Sequence, residues 1–299
     1  MSNMRDDDYA LPESLVSTQW VAGHLTDPAI RIIEVVWGDS DEWGAAAYRS
    51  GHIPGAVAWD FATDLQDPAR NDIADQTAIE ALLGRSGVTP VTPVIVYSGL
   101  NNLLATFAFW LLKVYGHRDV RLLDGDRRKW LAEGRPLSGE PPAVAPTVYR
   151  AQAPNGRLRA RRDDMLQAIG RSDHLLVDAR SSEMFSGADK AGAARGGRIP
   201  GAINLPARRE THADSSFKAW RVPTVRDDGT FKPATELRSL VESLGITPEK
   251  RIITYCVRGG LSTHAWFVLT QLLGYPDVRE YDRSWVEWGN VEGLPIAAG

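Results

Sequence analysis

The chain has 299 residues, 43% of them hydrophobic and 24% charged, with a formal net charge of -4 at pH 7. That length exceeds one small core and points to two domains of ordinary size, with the apolar and charged balance of a globular protein. The slight negative charge argues against a nucleic-acid binder, which would carry a clear basic excess.

The N-terminus, MSNMRDDDYALPES, is acidic and lacks the apolar stretch of a secretion signal. Residues 31–36 form a short apolar run consistent with a buried strand. The turn motif Gly51-His52-Ile53-Pro54-Gly55-Ala56 follows. Residues 94–97 are a β-branched strand that gives way to Ser98, Gly99 and an apolar helix over 103–115, closed by Gly116. Its most apolar part, 105–112, stops at Lys113 and falls far short of the roughly 20 residues that cross a membrane. A strand is expected at 120–123. Residues 134–156 are rich in Pro, Gly and Ala without periodicity and read as a linker.

The second half repeats this order. A strand at 174–178 leads to Gly197-Arg198-Ile199-Pro200-Gly201-Ala202, the first turn motif shifted by 146 residues. A strand at 251–255 leads to Cys256, a helix over 262–273 closed by Gly274, and a strand at 278–281. A shift of 158 sets Ser98 over Cys256, Phe109 over Phe267, Gly116 over Gly274 and Trp130 over Trp288. The chain is a duplication: domain one at 1–137, a linker at 138–156, domain two at 157–299. Alternating strands and helices imply an α/β fold in each. The expected sheet is mainly parallel, with helices on both faces and the ligand site at the carboxyl ends of its strands.

Chemistry concentrates at Cys256, the only cysteine. It can form no internal disulfide, which suits the cytoplasm. The histidines at 24, 52, 117, 174, 212 and 264 show no metal-ligand spacing, so neither metal nor cofactor is expected. A lone cysteine is ordinarily an inert core residue. Here it stands at a strand-to-helix elbow, followed by Val257, Arg258, Gly259, Gly260, Leu261 and Ser262. The glycines let successive N–H groups converge on one bowl, and Arg258 adds a full charge. Both effects favour the thiolate, which is the nucleophile.

The Cys-loop, the paired Gly-x-Ile-Pro-Gly-Ala turns and the stretch Tyr281-Asp282-Arg283-Ser284-Trp285-Val286-Glu287-Trp288 resemble the two-domain rhodaneses, which include thiosulfate and 3-mercaptopyruvate sulfurtransferases. The resemblance spans residues 15–295. It implies an inactive first domain and an active second one, and Ser98 in place of cysteine agrees. It also implies a Cys256 persulfide, loaded without a cofactor. Arg258 favours thiosulfate, because mercaptopyruvate enzymes tend to carry a small hydroxyl residue there; mercaptopyruvate stays as the alternative. Acceptors would be cyanide, a small thiol, thioredoxin or a sulfur-carrier protein, and a carrier dedicated to one biosynthetic partner is a further alternative. No nucleic-acid or membrane partner is expected. Arg195 stands where relatives commonly place a substrate-binding arginine. Ser262, six residues after the cysteine, replaces the arginine that a phosphatase of related fold would need. The charged segment 208–228 reads as a surface insertion, and the basic run 157–162 as a solvated helix start.

Overall fold

The computed structural model describes residues 8–206, 208–211 and 218–298. The chain divides into two compact units: Glu13–Asn155 with Asp227–Phe231, and Gly156–Arg226 with Lys232–Gly299 and the first described residues. Among the described residues no helix is long and apolar enough to cross a membrane.

The first unit is built on strands β1 (Leu15–Ser17), β2 (Arg31–Val36), β3 (Val57–Asp60), β4 (Val94–Ser98) and β5 (Val120–Asp124), paired in the order β1-β5-β4-β2-β3. Every pairing is parallel. Strands buried on both faces read as nearly continuous apolar runs, which is why β4 reads Val-Ile-Val-Tyr-Ser without alternation. Helix α1 (Gln76–Arg85) starts where the Asp75 side chain accepts the Ala78 N–H at 2.9 Å. Helix α2 (Leu103–Val114) is buried along its length except at Lys113. An all-apolar helix belongs inside a protein, not on its surface. Residues 138–156, expected to be a linker, lie as an extended strap along this unit. Thr147 N–H bonds the Gly84 carbonyl, Gln152 N–H that of Tyr115, and Asn155 N–H that of Val114, at 2.8–3.0 Å. The extended backbone meets its hydrogen-bonding needs there, so its lack of periodicity did not make it a free tether.

The second unit carries β6 (His174–Asp178), β7 (Ile203–Asn204), β8 (Arg208–Thr211), β9 (Lys218–Arg221), β10 (Arg251–Tyr255) and β11 (Val278–Glu280). Its sheet runs β11-β10-β6-β7, again parallel. The charged insertion is not a structureless loop: β8 and β9 pair antiparallel, Arg208 opposite Arg221 and Thr211 opposite Lys218. Residues 212–217 between them lie outside the described residues. The helix expected over 262–273 has two parts, α3 (Ser262–Phe267) and a widened π-type turn at Val268–Leu272. Gly274, at φ +73°, then stops it.

Each unit fixes its Gly-x-Ile-Pro-Gly-Ala turn with the same buried trio. In the first, Glu34 pairs with Arg127 at 2.8 Å, Arg127 also donates to the Gly51 carbonyl, and the Ile53 N–H reaches the Tyr97 hydroxyl at 3.1 Å. In the second, Asp178 pairs with Arg180 at 2.6 Å, and Arg180 donates to the Gly197 carbonyl at 2.7 Å. The Ile199 N–H reaches the Tyr255 hydroxyl at 3.2 Å. The acids occupy matching register positions, Glu34 beside Tyr97 and Asp178 beside Tyr255. Gly197 is required twice over: its φ is +119°, and a Cβ there would lie 2.5 Å from the Ala297 carbonyl oxygen.

Candidate active site

Strand β10 ends at Tyr255, and Cys256 follows at the carboxyl edge of the sheet, fully buried. Helix α4 (Ser284–Trp288) braces the loop after it: Trp285 N–H donates to the Cys256 carbonyl at 3.0 Å and Val286 N–H to that of Val257 at 3.2 Å. The Cys256 N–H donates to Ser284 Oγ at 2.9 Å, and Ser284 in turn donates to the Tyr281 carbonyl at 2.8 Å. Gly259, at φ +88°, turns its N–H back to Cys256 Sγ at 3.2 Å. The backbone N–H groups of Arg258 and Ser262 and the Ser262 hydroxyl lie close enough to the sulfur to favour its charged form. One donor bonds the sulfur and three more surround it, an arrangement suited to holding negative charge there.

Of the residues expected from the sequence, Cys256, Gly259 and Ser262 come together at the sulfur, with Arg258 joining through its backbone. The Arg258 side chain is exposed, and Val257, Gly260 and Leu261 are half-buried around it. A Gly259→Ala substitution should cost about 1–2 kcal/mol through its left-handed backbone. It should also slow sulfur loading by displacing one donor; a urea melt read beside a loading assay checks both.

The electrostatic expectation needs correction. Burial pushes the Cys256 thiol above its ordinary range, and a negative charge on Glu280 would add to this were that carboxyl ionised, while the Ser262 and Arg258 hydrogen bonds pull the other way. Turns rich in glycine predict donors but not how deep the sulfur sits. With the thiol raised, only a minor fraction is ionised at neutral pH. The rate of Cys256 alkylation should therefore climb steadily from pH 7 toward pH 9, read by intact mass against time. A rate already flat at pH 7 would contradict this.

Arg195 is turned to the backbone of the C-terminal segment. Its guanidinium donates to the carbonyls of Trp288 at 2.9 Å, Leu294 at 2.9 Å, Gly289 at 3.4 Å and Val291. Four of its N–H groups are spent tying down the C-terminal segment, a task no local motif announces. Arg159, expected on a solvated helix start, is instead buried and forks onto Asp282 with both contacts at 2.6 Å. His264 bonds Thr224 Oγ1 through Nε2 at 2.8 Å, and burial pushes its pKa down to about 3, so the ring is neutral. Trp285 lies beneath the Arg180 guanidinium, 4.1 Å from ring centre to Cζ.

In the first copy Ser98 meets a different loop. Leu100, Asn101 and Asn102 all adopt left-handed backbone, φ +55° to +59°. The Asn102 side chain accepts the Ser98 N–H at 2.8 Å and donates to the Leu123 carbonyl at 2.6 Å. Asp126, the repeat counterpart of Ser284, accepts the Asn101 N–H at 2.9 Å. From the sequence Ser284 enters only as part of the stretch 281–288, with no role of its own; in the structure it and its counterpart Asp126 share positive φ, +52° and +50°, and both are fully buried.

The family described as Rhodanese-like domain matches the chain twice, at residues 17–133 and 161–290. A Thermus thermophilus protein named "Sulfur carrier protein TtuD" is 44% identical over 301 residues, covering 97% of this chain and 99% of its own. A Mycolicibacterium smegmatis protein named "Putative thiosulfate sulfurtransferase" is 42% identical over 297 residues, with the same coverage. A solved structure of EanB with ergothioneine covalently linked to a persulfide superposes with a TM-score of 0.82 at 25% identity, over 96% of this chain and 70% of that one.

Proposed function

Since this chain belongs to the rhodanese-like family, a family of sulfurtransferases, we propose that it takes sulfane sulfur from thiosulfate onto Cys256 and hands it to a thiophilic acceptor. The observation that carries this reading is the convergence of the Arg258, Gly259 and Ser262 N–H groups and the Ser262 hydroxyl on the sulfur of the chain's single cysteine.

The Cys256 thiolate attacks the outer sulfur of thiosulfate. The S–S bond of the donor breaks, its electron pair leaves with sulfite, and Cys256 becomes a persulfide. An acceptor nucleophile then attacks the outer sulfur and returns the thiolate. Cyanide, a small thiol, thioredoxin or a sulfur-carrier protein has the needed chemistry. Neither step calls for a metal or an organic cofactor. The loop donors stabilise charge as it shifts between sulfur atoms, and exposed Arg258 meets the incoming dianion. Arg258→Ala should raise the KM for thiosulfate about two- to fivefold, as an exposed charge does, and blunt its dependence on salt. An unchanged KM would remove Arg258 from donor recognition. A lone free thiol suits a reducing compartment, which supports the cytoplasm as the place of action.

The relative named as a sulfur carrier favours a second reading, delivery to one dedicated partner protein. Intact-mass measurement after incubation with thiosulfate, then with mercaptopyruvate, separates these. The proposal expects one added sulfur from thiosulfate, released by cyanide. A gain from mercaptopyruvate alone would overturn the donor assignment. A loaded protein inert to cyanide and small thiols would favour the dedicated carrier, and no gain from either donor would sink the sulfur-transfer reading.

A further inference from the structure

Glu280 closes β11 with its carboxyl fully buried behind the Cys-loop. One carboxyl oxygen is hydrogen-bonded to Ser262 Oγ and the other to Thr254 Oγ1. The Thr254 contact follows from sheet register, which sets Thr254 opposite Glu280. The groups facing it are Thr254 from β10, Ser262 from α3, Cys256 from the loop, and Asp282 from the turn beyond β11. Asp282 is already committed to Arg159. No cation acts on Glu280 among the described residues. A buried carboxylate without a cation is so costly that the group keeps its proton instead. Burial pushes Glu280 strongly in that direction, Asp282 adds to it, and the two hydroxyls offset only part.

The protonation state decides where the Ser262 proton points. Ser262 has one hydroxyl hydrogen and three neighbours that could take it: Glu280, the Gly259 carbonyl at 3.2 Å, and Cys256 Sγ. An ionised Glu280 would take that hydrogen and turn an oxygen lone pair toward the sulfur. A neutral carboxyl donates to Ser262 Oγ and frees the hydrogen. We propose that Glu280 is a positioning residue which, as a neutral acid, donates to Ser262 and thereby aims the Ser262 hydroxyl at the Cys256 thiolate.

The inference deepens the sulfur-transfer reading and rests on it for its catalytic meaning, but alkylation of Cys256 tests it independently. With only one cysteine in the chain, every modified thiol is Cys256. The full-length protein and its Glu280→Gln, Glu280→Leu, Ser262→Ala and Glu280→Leu/Ser262→Ala variants would be alkylated with iodoacetamide across a pH series, with each fold checked by circular dichroism. The Gln amide can still donate to Ser262, so Glu280→Gln should keep the parent midpoint. Glu280→Leu and Ser262→Ala should each raise it, by about one pH unit or tenfold in thiolate at neutral pH. The double variant should go no further than either single one. A lowered midpoint in Glu280→Gln would mean that the carboxyl is ionised, and would overturn the proposal. So would a parent midpoint in Glu280→Leu, or additive shifts in the double variant. Should the Leu variants fail to fold, Ser262→Ala must still raise the midpoint and Glu280→Gln must not lower it. Failure of the sulfur-transfer reading would look different, as these alkylation shifts with no sulfur ever loaded.

Discussion

Cys256→Ser should abolish sulfur loading and lower thiosulfate-to-cyanide turnover by about a thousandfold or more, the scale on which enzymes lose rate when their nucleophile goes. Adding Ser98→Cys to that variant should restore nothing, although it returns a thiol to the repeat-equivalent place. The reason lies in the backbone. Around Cys256 the loop sends the N–H groups of Arg258, Gly259 and Ser262 inward to the sulfur. Around Ser98 three successive left-handed residues bring in the Asn102 side chain, which takes the Ser98 N–H and anchors to Leu123. A thiol there would be buried with the Ala105 N–H, 3.3 Å from the Ser98 hydroxyl, as its donor in place of the Cys256 loop, and a poorly supported buried thiol stays protonated and unreactive. Thiocyanate formation and intact mass measure both variants. Any persulfide found on the Ser98→Cys, Cys256→Ser protein would show that depth and donors matter less than argued.

The largest stability effect should come from Asp178→Ala. It leaves Arg180 wholly buried with its charge unanswered, and breaking such a pair from one side costs about 3–5 kcal/mol. The same change at Asp39, whose partner Arg49 is exposed like itself, should cost less than about 1 kcal/mol. The damage should also reach the site, since Arg180 holds the Gly197 carbonyl and stacks on Trp285 beside the Cys-loop brace. Replacing both partners, Asp178→Leu with Arg180→Met, should restore much of the loss, because no lone charge remains. Urea denaturation of the three variants gives the comparison. A single variant as stable as the parent would mean that Arg180 finds water or another partner.

How much of this was legible in the sequence follows from what each residue depends on. The strands at 31–36, 174–178 and 251–255 are predominantly apolar runs without strict alternation, and such runs have few places to go but a covered parallel sheet. The nucleophile was legible because glycines beside a cysteine at a strand end constrain the backbone locally. Glu280, Ser284 and Arg195 were not. Each is a polar residue whose meaning comes from what is packed over it: a carboxyl sealed under two hydroxyls, a serine beneath a backbone amide, a guanidinium wrapped by the chain's end. Sequence patterns report periodicity and turns, whereas the burial of a single polar side chain is decided by segments distant in the chain. The same blindness made Arg159 look solvated and Cys256 look more acidic than its depth allows.

The two buried trios carry a consequence for recombining the halves of this duplication. In the second copy the arginine stands two places after its acid, so acid and cation travel on one short segment. In the first the cation arrives from Arg127, 93 residues further along. Exchanging only the strand-and-turn segments between copies would therefore give one half two guanidinium groups for a single acid and leave the other with an acid and none. The halves share a plan and a set of parts, but they have become mechanically incompatible as spares for each other.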